Sequence, residues 1–134
     1  MSNLPPALPH AFYGLVTFKG NPAPVGSVIE GRGEGVRTGV PGNPIITTEA
    51  GKYGGMGGFD PKLVIQGTVA EGTPIRFYVN DVQAQCAMPG ATWQQAWPFM
   101  AGGITRLDLR VPESSWLSRA VEWLRLIWRK LIGK

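Results

Sequence analysis

The chain has 134 residues, of which 43% are apolar, with 19 glycines and 12 prolines; that balance excludes a disordered segment and suits one domain that buries a core without staples, and dense turn residues between short apolar runs point to an all-β fold. The net charge of +4 is localised: of 13 basic and nine acidic residues, Arg119, Arg125, Arg129, Lys130 and Lys134 fall within 115–134 beside the single acid Glu122, and the remainder cancel. A nucleic-acid binder spreads its cations over a folded face, so no nucleic-acid partner is expected.

Residues 1–10 read as an extended, proline-rich lead-in carrying Pro5, Pro6 and Pro9. MSNLPPALPHAF lacks a basic n-region and an apolar h-region, so it is not read as a secretory signal. His10, the only histidine, has no ligand-type neighbours and is expected in a loop. Ala11–Phe18 is the first strand, with Tyr13, Leu15 and Thr17 on one face and Phe12, Val16 and Phe18 on the other. Lys19-Gly20-Asn21-Pro22 is turn chemistry, and Val25–Gly33 is the second strand. Its GRGEG end lacks the Lys-Ser/Thr and helix of a phosphate loop, and reads as a strand end with a bulge.

Val36–Asn43 is a loop, Pro44–Thr48 a short strand, and Glu49–Lys52 a turn leading to Tyr53. Gly54–Gly58 has the composition of a flexible run able to wrap over a sheet edge. Strands are expected at Lys62–Gln66, at Ile75–Val79 with Ile75, Phe77 and Val79 on one face, and at Val82–Ala84 after an Asn80-Asp81 hairpin turn. A loop covers 86–91, and Trp93–Trp97 is a less regular strand. Ile104–Val111 closes the series, with Thr105, Leu107, Leu109 and Val111 on one face, and Pro112 stops it. Seven or eight short strands with no helical pattern between them give an antiparallel β-sandwich over 11–111.

Residues 112–134 differ in kind. At about 100° per residue, Trp116, Leu117, Ala120, Val121, Trp123, Leu124, Ile127, Trp128, Leu131 and Ile132 fall on one half of a helical wheel. Ser118, Arg119, Glu122, Arg125, Arg129 and Lys130 fall on the other, and Leu126 alone is misplaced. Ser114 or Ser115 would cap the start and Gly133 the end. The apolar sector spans about 180°, wider than the roughly 100° a helix needs to pack on its own domain. Trp favours membrane interfaces, where its ring is buried and its N–H stays near polar groups. The expected partner is therefore an anionic membrane surface, with Trp116, Leu117, Val121, Trp123, Leu124, Ile127, Trp128, Leu131 and Ile132 in the lipid and Arg119, Arg125, Arg129 and Lys130 on headgroups. The alternatives are burial of the same sector between copies of the chain in an oligomer, filament or shell, docking on the chain's own sheet, and a membrane-disrupting effector. With no run of about 20 uninterrupted apolar residues, no ordinary transmembrane helix is expected.

No residue is assigned to catalysis, to a cofactor or to a metal. The one Cys, Cys86, and His10 lack the flanking motif of a dyad, and the carboxylates are scattered rather than clustered. Cys86 reads as a packing or loop thiol, and the chain as a non-enzyme.

TTEAGKYGG (47–55) carries a resemblance. In it Thr48, Glu49, Gly51 and Tyr53 follow the Thr–acid–Gly–Tyr turn of the carboxypeptidase-regulatory-like, or transthyretin-like, β-sandwich of prokaryotic surface proteins. YGLVTFKGNPAPVGSVIEGR is similar to the first two strands of those modules, and EGTPIRFYVN and GGITRLDLRV to their penultimate and final ones. The resemblance covers about residues 10–111. It implies an Ig-like sandwich of about seven strands and a non-catalytic spacer, folding aid, or adhesive or carbohydrate-binding unit at the cell surface or outside the cell. Related sandwiches sometimes form a Lys–Asn isopeptide bond, for which Lys19 and Asn80 are the candidates.

Overall fold

The computed structural model describes residues 7–113 and, beyond them, Ile127 alone. The fold of residues 7–113 is all-β: eleven short strands among the described residues are hydrogen-bonded into one curled, mixed sheet. The helix expected over the final amphipathic segment falls outside the described residues apart from Ile127.

Strand β1 (His10–Phe18) is the spine. Along one edge it takes three short antiparallel partners: β6 (Leu63–Ile65) against His10–Phe12, β5 (Lys52–Tyr53) against Gly14–Leu15, and β2 (Asn21–Pro22) against Thr17–Phe18. Along the other it runs parallel to β10 (Ile104–Arg106) and β11 (Asp108–Val111). The expected sandwich was antiparallel throughout, and this is the main correction. A parallel pair cannot be closed by a tight turn and needs a long crossover, here the whole chain between the first strand and the last.

The remaining order is antiparallel: β11 to β8 (Val82–Ala87), β8 to β7 (Pro74–Val79), β7 to β3 (Val28–Arg32), and β3 to β4 (Ile45–Ile46). β9 (Trp97–Pro98) pairs with the start of β7. The β7–β8 turn is Asn80-Asp81, both residues at positive φ (50° and 67°), as a twist-matched two-residue hairpin requires.

The alternations expected from sequence set the core. Phe12 and Val16 of β1, Ile75, Phe77 and Val79 of β7, and Leu107, Leu109 and Val111 all point inward and are buried. The sheet curls until β6 covers β3: the end of Ile65 fills the space where a Cβ on Gly31 would stand. No buried side-chain polar atom among the described residues lacks a hydrogen-bond partner.

Four local expectations change. His10 is not a loop residue. It opens β1 fully buried, accepting from the Met100 N–H at Nδ1 (3.0 Å) and sharing a hydrogen bond with Thr105 Oγ1 (2.7 Å) at Nε2. A lone histidine is polar by composition, yet its two ring nitrogens can both be satisfied inside a sheet. Strand β8 runs on to Ala87, through residues placed in a loop, because Cys86 and Ala87 pair with β11. Of Trp93–Trp97 only Trp97 joins a strand, with Gln94 making a single bridge to Cys86. The second strand also starts later than expected, at Val28 rather than Val25.

Tyr53, the last residue of the TTEAGKY turn, is buried. Its hydroxyl donates to the Leu107 carbonyl at 2.5 Å. That carbonyl lies in the one-residue gap between β10 and β11. The two strands share one register against β1, so Gly14 would face Leu107 and Leu15 would face Asp108. The ladder is interrupted there because the Asp108 carboxylate takes the Leu15 N–H (3.0 Å). Residue 14 must be glycine for this: a Cβ would stand 2.9 Å from Asp108 Oδ1 and would strike the Leu107 carbonyl oxygen.

Candidate functional site

The sequence GGMGGFDP (54–61) joins β5 to β6. Both strands pair with the same edge of β1, but Tyr13 between them has no partner there. The chain therefore leaves the ladder after Tyr53, makes an excursion, and returns at Leu63. Gly54 makes the exit at positive φ (62°), where a Cβ would stand 2.8 Å from the Pro61 carbonyl oxygen and 3.2 Å from Tyr13 Cβ.

Four hydrogen bonds hold the loop's shape. Gly55 N–H donates to the Pro61 carbonyl (3.1 Å) and closes the neck. Asp60 N–H donates to the Gly57 carbonyl (3.0 Å), and the Asp60 carboxylate accepts from the Gly57 N–H (2.8 Å). The Lys62 ammonium donates to the Gly57 carbonyl (2.7 Å) from above the Tyr13 ring. The glycines let the backbone wrap around the Asp60 carboxylate. What remains outside is apolar: Met56 is 79% exposed and Phe59 is 105% exposed.

A cleft lies on each side of the loop. One, of about 160 Å³, is lined by Ile45, Ile46, Lys52, Asp60 and Pro61. The other, of about 690 Å³, is lined by Tyr13, Leu15, Met56, Lys52, Asp60 and Arg106. The charges around them are locally balanced: Lys52 reaches Glu49 at 3.7 Å and Arg106 reaches Asp108 at 3.6 Å. The arrangement is an apolar tip, tied back by hydrogen bonds, beside an amphiphilic groove.

Of the residues expected to contact lipid or another copy, Ile127 is described and half-buried. Trp116, Leu117, Val121, Trp123, Leu124, Trp128, Leu131 and Ile132, and the headgroup residues Arg119, Arg125, Arg129 and Lys130, lie outside the described residues. Their root is described. After Val111 the chain turns out through Pro112 and Glu113, beside a cleft of about 500 Å³ that Thr17, Gly20, Trp93 and Arg110 also line. There the Arg110 guanidinium stacks on Trp93, 4.3 Å from the ring centre, and donates to Gln85 Oε1 (2.7 Å).

The other pairs weighed from sequence are not brought together for chemistry. His10 spends both ring nitrogens on Thr105 and Met100. The Cys86 thiol is buried, and burial pushes its pKa up to about 11. Lys19 lies over the Phe18 ring, and the Asn80 carboxamide accepts from the Val28 N–H at 2.9 Å. Each of the two side chains is therefore engaged elsewhere, and their strands, β1 and β7, are not neighbours in the sheet.

The apolar tip was missed in the sequence because glycine suggests flexibility. The available signal was that Met56 and Phe59 belong to no alternation, so no strand face claims them. Comparison with protein-family models, curated proteins and solved structures finds no match to this chain.

Proposed function

We propose that this chain is a non-catalytic, surface-associated structural or binding module, an Ig-like or transthyretin-like sandwich held at an anionic membrane surface by residues 114–134. The observation that carries the reading is the segregation of that segment, with Trp and Leu on one half of its helical wheel and Arg and Lys on the other. Two further facts support it. The charges of the preceding domain cancel, so attraction to an anionic surface resides in the segment. Residues 7–113 also hold a contiguous apolar core of their own, and the buried side-chain polar atoms among them have hydrogen-bond partners.

The test is co-sedimentation of the full chain with anionic vesicles, with and without residues 113–134. Binding that weakens with salt and vanishes on truncation is expected. A full chain that stays in the supernatant refutes the reading. A large soluble particle without lipid, reduced to a monomer by the truncation, favours the self-assembling alternative instead.

A further inference from the structure

We propose that the 54–61 loop is a second, apolar contact with the same phospholipid surface, its tip residues Met56 and Phe59 entering the interfacial zone as a wedge. This rests on the membrane reading above and adds to it an orientation and a second set of contact residues.

The first argument is exposure. A phenylalanine side chain wholly in water is costly wherever a core or an apolar phase is within reach, and Phe59 has found no core among the described residues. The second is pre-organisation. The neck bond at Gly55, the Asp60 carboxylate and the Lys62 ammonium hold the tip open, so insertion orders little new chain.

The third argument is size, and it selects the occupant. A stable protein interface buries about 800 Å² on each partner. Two side chains on a convex tip, with glycines between and beside them, supply far less apolar area than that. A lipid interface demands no such area, only apolar groups that project.

The fourth is placement. Tyr13, Leu15 and Thr17 alternate on the outer face of β1. The groove beside the loop is lined by Tyr13 and Leu15, and the cleft where the chain leaves toward residue 114 is lined by Thr17, Pro112 and Glu113. Loop and root therefore flank one strip of β1, about 13 Å apart at the strand rise, and one flat surface can meet both.

The two contacts differ in kind, and that makes them separable. Lys52 and Arg106 near the loop each have a counter-charge, so the loop contributes by apolar transfer and its share survives high salt. The basic segment's share is screened.

The experiment uses the full chain. A dye sensitive to polarity is placed on Met56→Cys, and on Ala70→Cys as a control at an exposed loop position. Cys86 is buried and stays unlabelled in the folded protein. With anionic vesicles the dye at position 56 should shift to an apolar environment while the one at 70 stays wet. In high salt, Phe59→Ser should lower vesicle partitioning about tenfold with an unchanged melting temperature. If the chain binds vesicles but position 56 stays wet and Phe59→Ser partitions like the parent, the wedge is wrong and the anchor reading stands. If the full chain binds no vesicles, the anchor reading falls and the wedge with it. If Phe59→Ser instead abolishes a dimer in solution, the tip is a contact between copies and the wedge is overturned.

Discussion

Tyr53→Phe removes one oxygen and no packing volume. The lost hydroxyl donates at 2.5 Å to the Leu107 carbonyl, in the gap between β10 and β11. No backbone N–H among the described residues reaches that carbonyl. Because Leu107 is fully buried, water does not replace the lost donor without opening the sheet. Leaving such an acceptor unpaired costs about 1–3 kcal/mol, a large share of the 5–15 kcal/mol that holds a typical domain folded. At about 2 kcal/mol the melting temperature of a domain near 100 residues falls by roughly 8–12 °C. Thermal unfolding followed by near-ultraviolet circular dichroism reads this directly.

The same residue has an alkaline signature. Burial first, then the charges of Asp108 and Cys86, push the Tyr53 phenol well above its ordinary 10.0. The folded chain therefore keeps its proton where the unfolded chain releases it. Stability from this group is full below pH 10 and is lost as pH rises beyond it, and in Tyr53→Phe that alkaline slope is shallower by one proton. A variant that melts with the parent, with the same alkaline slope, would show that the hydroxyl does not bind the first strand's neighbours together, and the account of this junction would fail.

Two further outcomes follow from the buried titratable groups. Burial lowers the His10 pKa below 6.5, only partly offset by Glu71; the unfolded chain then binds the proton first, so stability present above pH 6.5 declines as pH falls below it. Urea unfolding of His10→Asn between pH 6.5 and roughly 5, above most carboxylate titration, should show a shallower acid slope than the parent, and an identical slope would refute the assignment. Cys86, buried and with its pKa pushed up to about 11, should resist thiol reagents at pH 8 in the native protein and react at once in denaturant; fast native labelling would place the thiol outside the core.

Much of the architecture is legible in local pattern. IRFYV and ITRLDLRV alternate with period two, and the pleat sends successive side chains to opposite faces, so Phe77, Leu107 and Leu109 are core residues before any partner strand is known. Asn80-Asp81 likewise declares its hairpin, because the two-residue turn is a property of those residues. The final segment's two-sided wheel belongs to this class as well, since amphipathicity is written in spacing.

Other features depend on residues far apart in the chain. That β1 runs parallel to β10 and β11 is decided by which strands meet across some ninety residues, and alternation is blind to partner and direction. His10 reads as a polar lead-in residue until Met100 and Thr105 arrive to satisfy both ring nitrogens. Gly14 is an ordinary glycine until Leu107 and Asp108 occupy the place of its Cβ. Tyr53 fills the last residue of a short turn, yet its hydroxyl ties that turn to a strand junction 54 residues away. The glycines at 54–58 suggest slackness in sequence, and become a fixed tip only when Asp60 and Lys62 fold back on them. Alternation and turn chemistry are set by neighbours in the chain, so sequence alone determined the faces and the turns. Pairing, burial of polar groups and the shape of the loop are set by neighbours in space, and those only the tertiary structure decided.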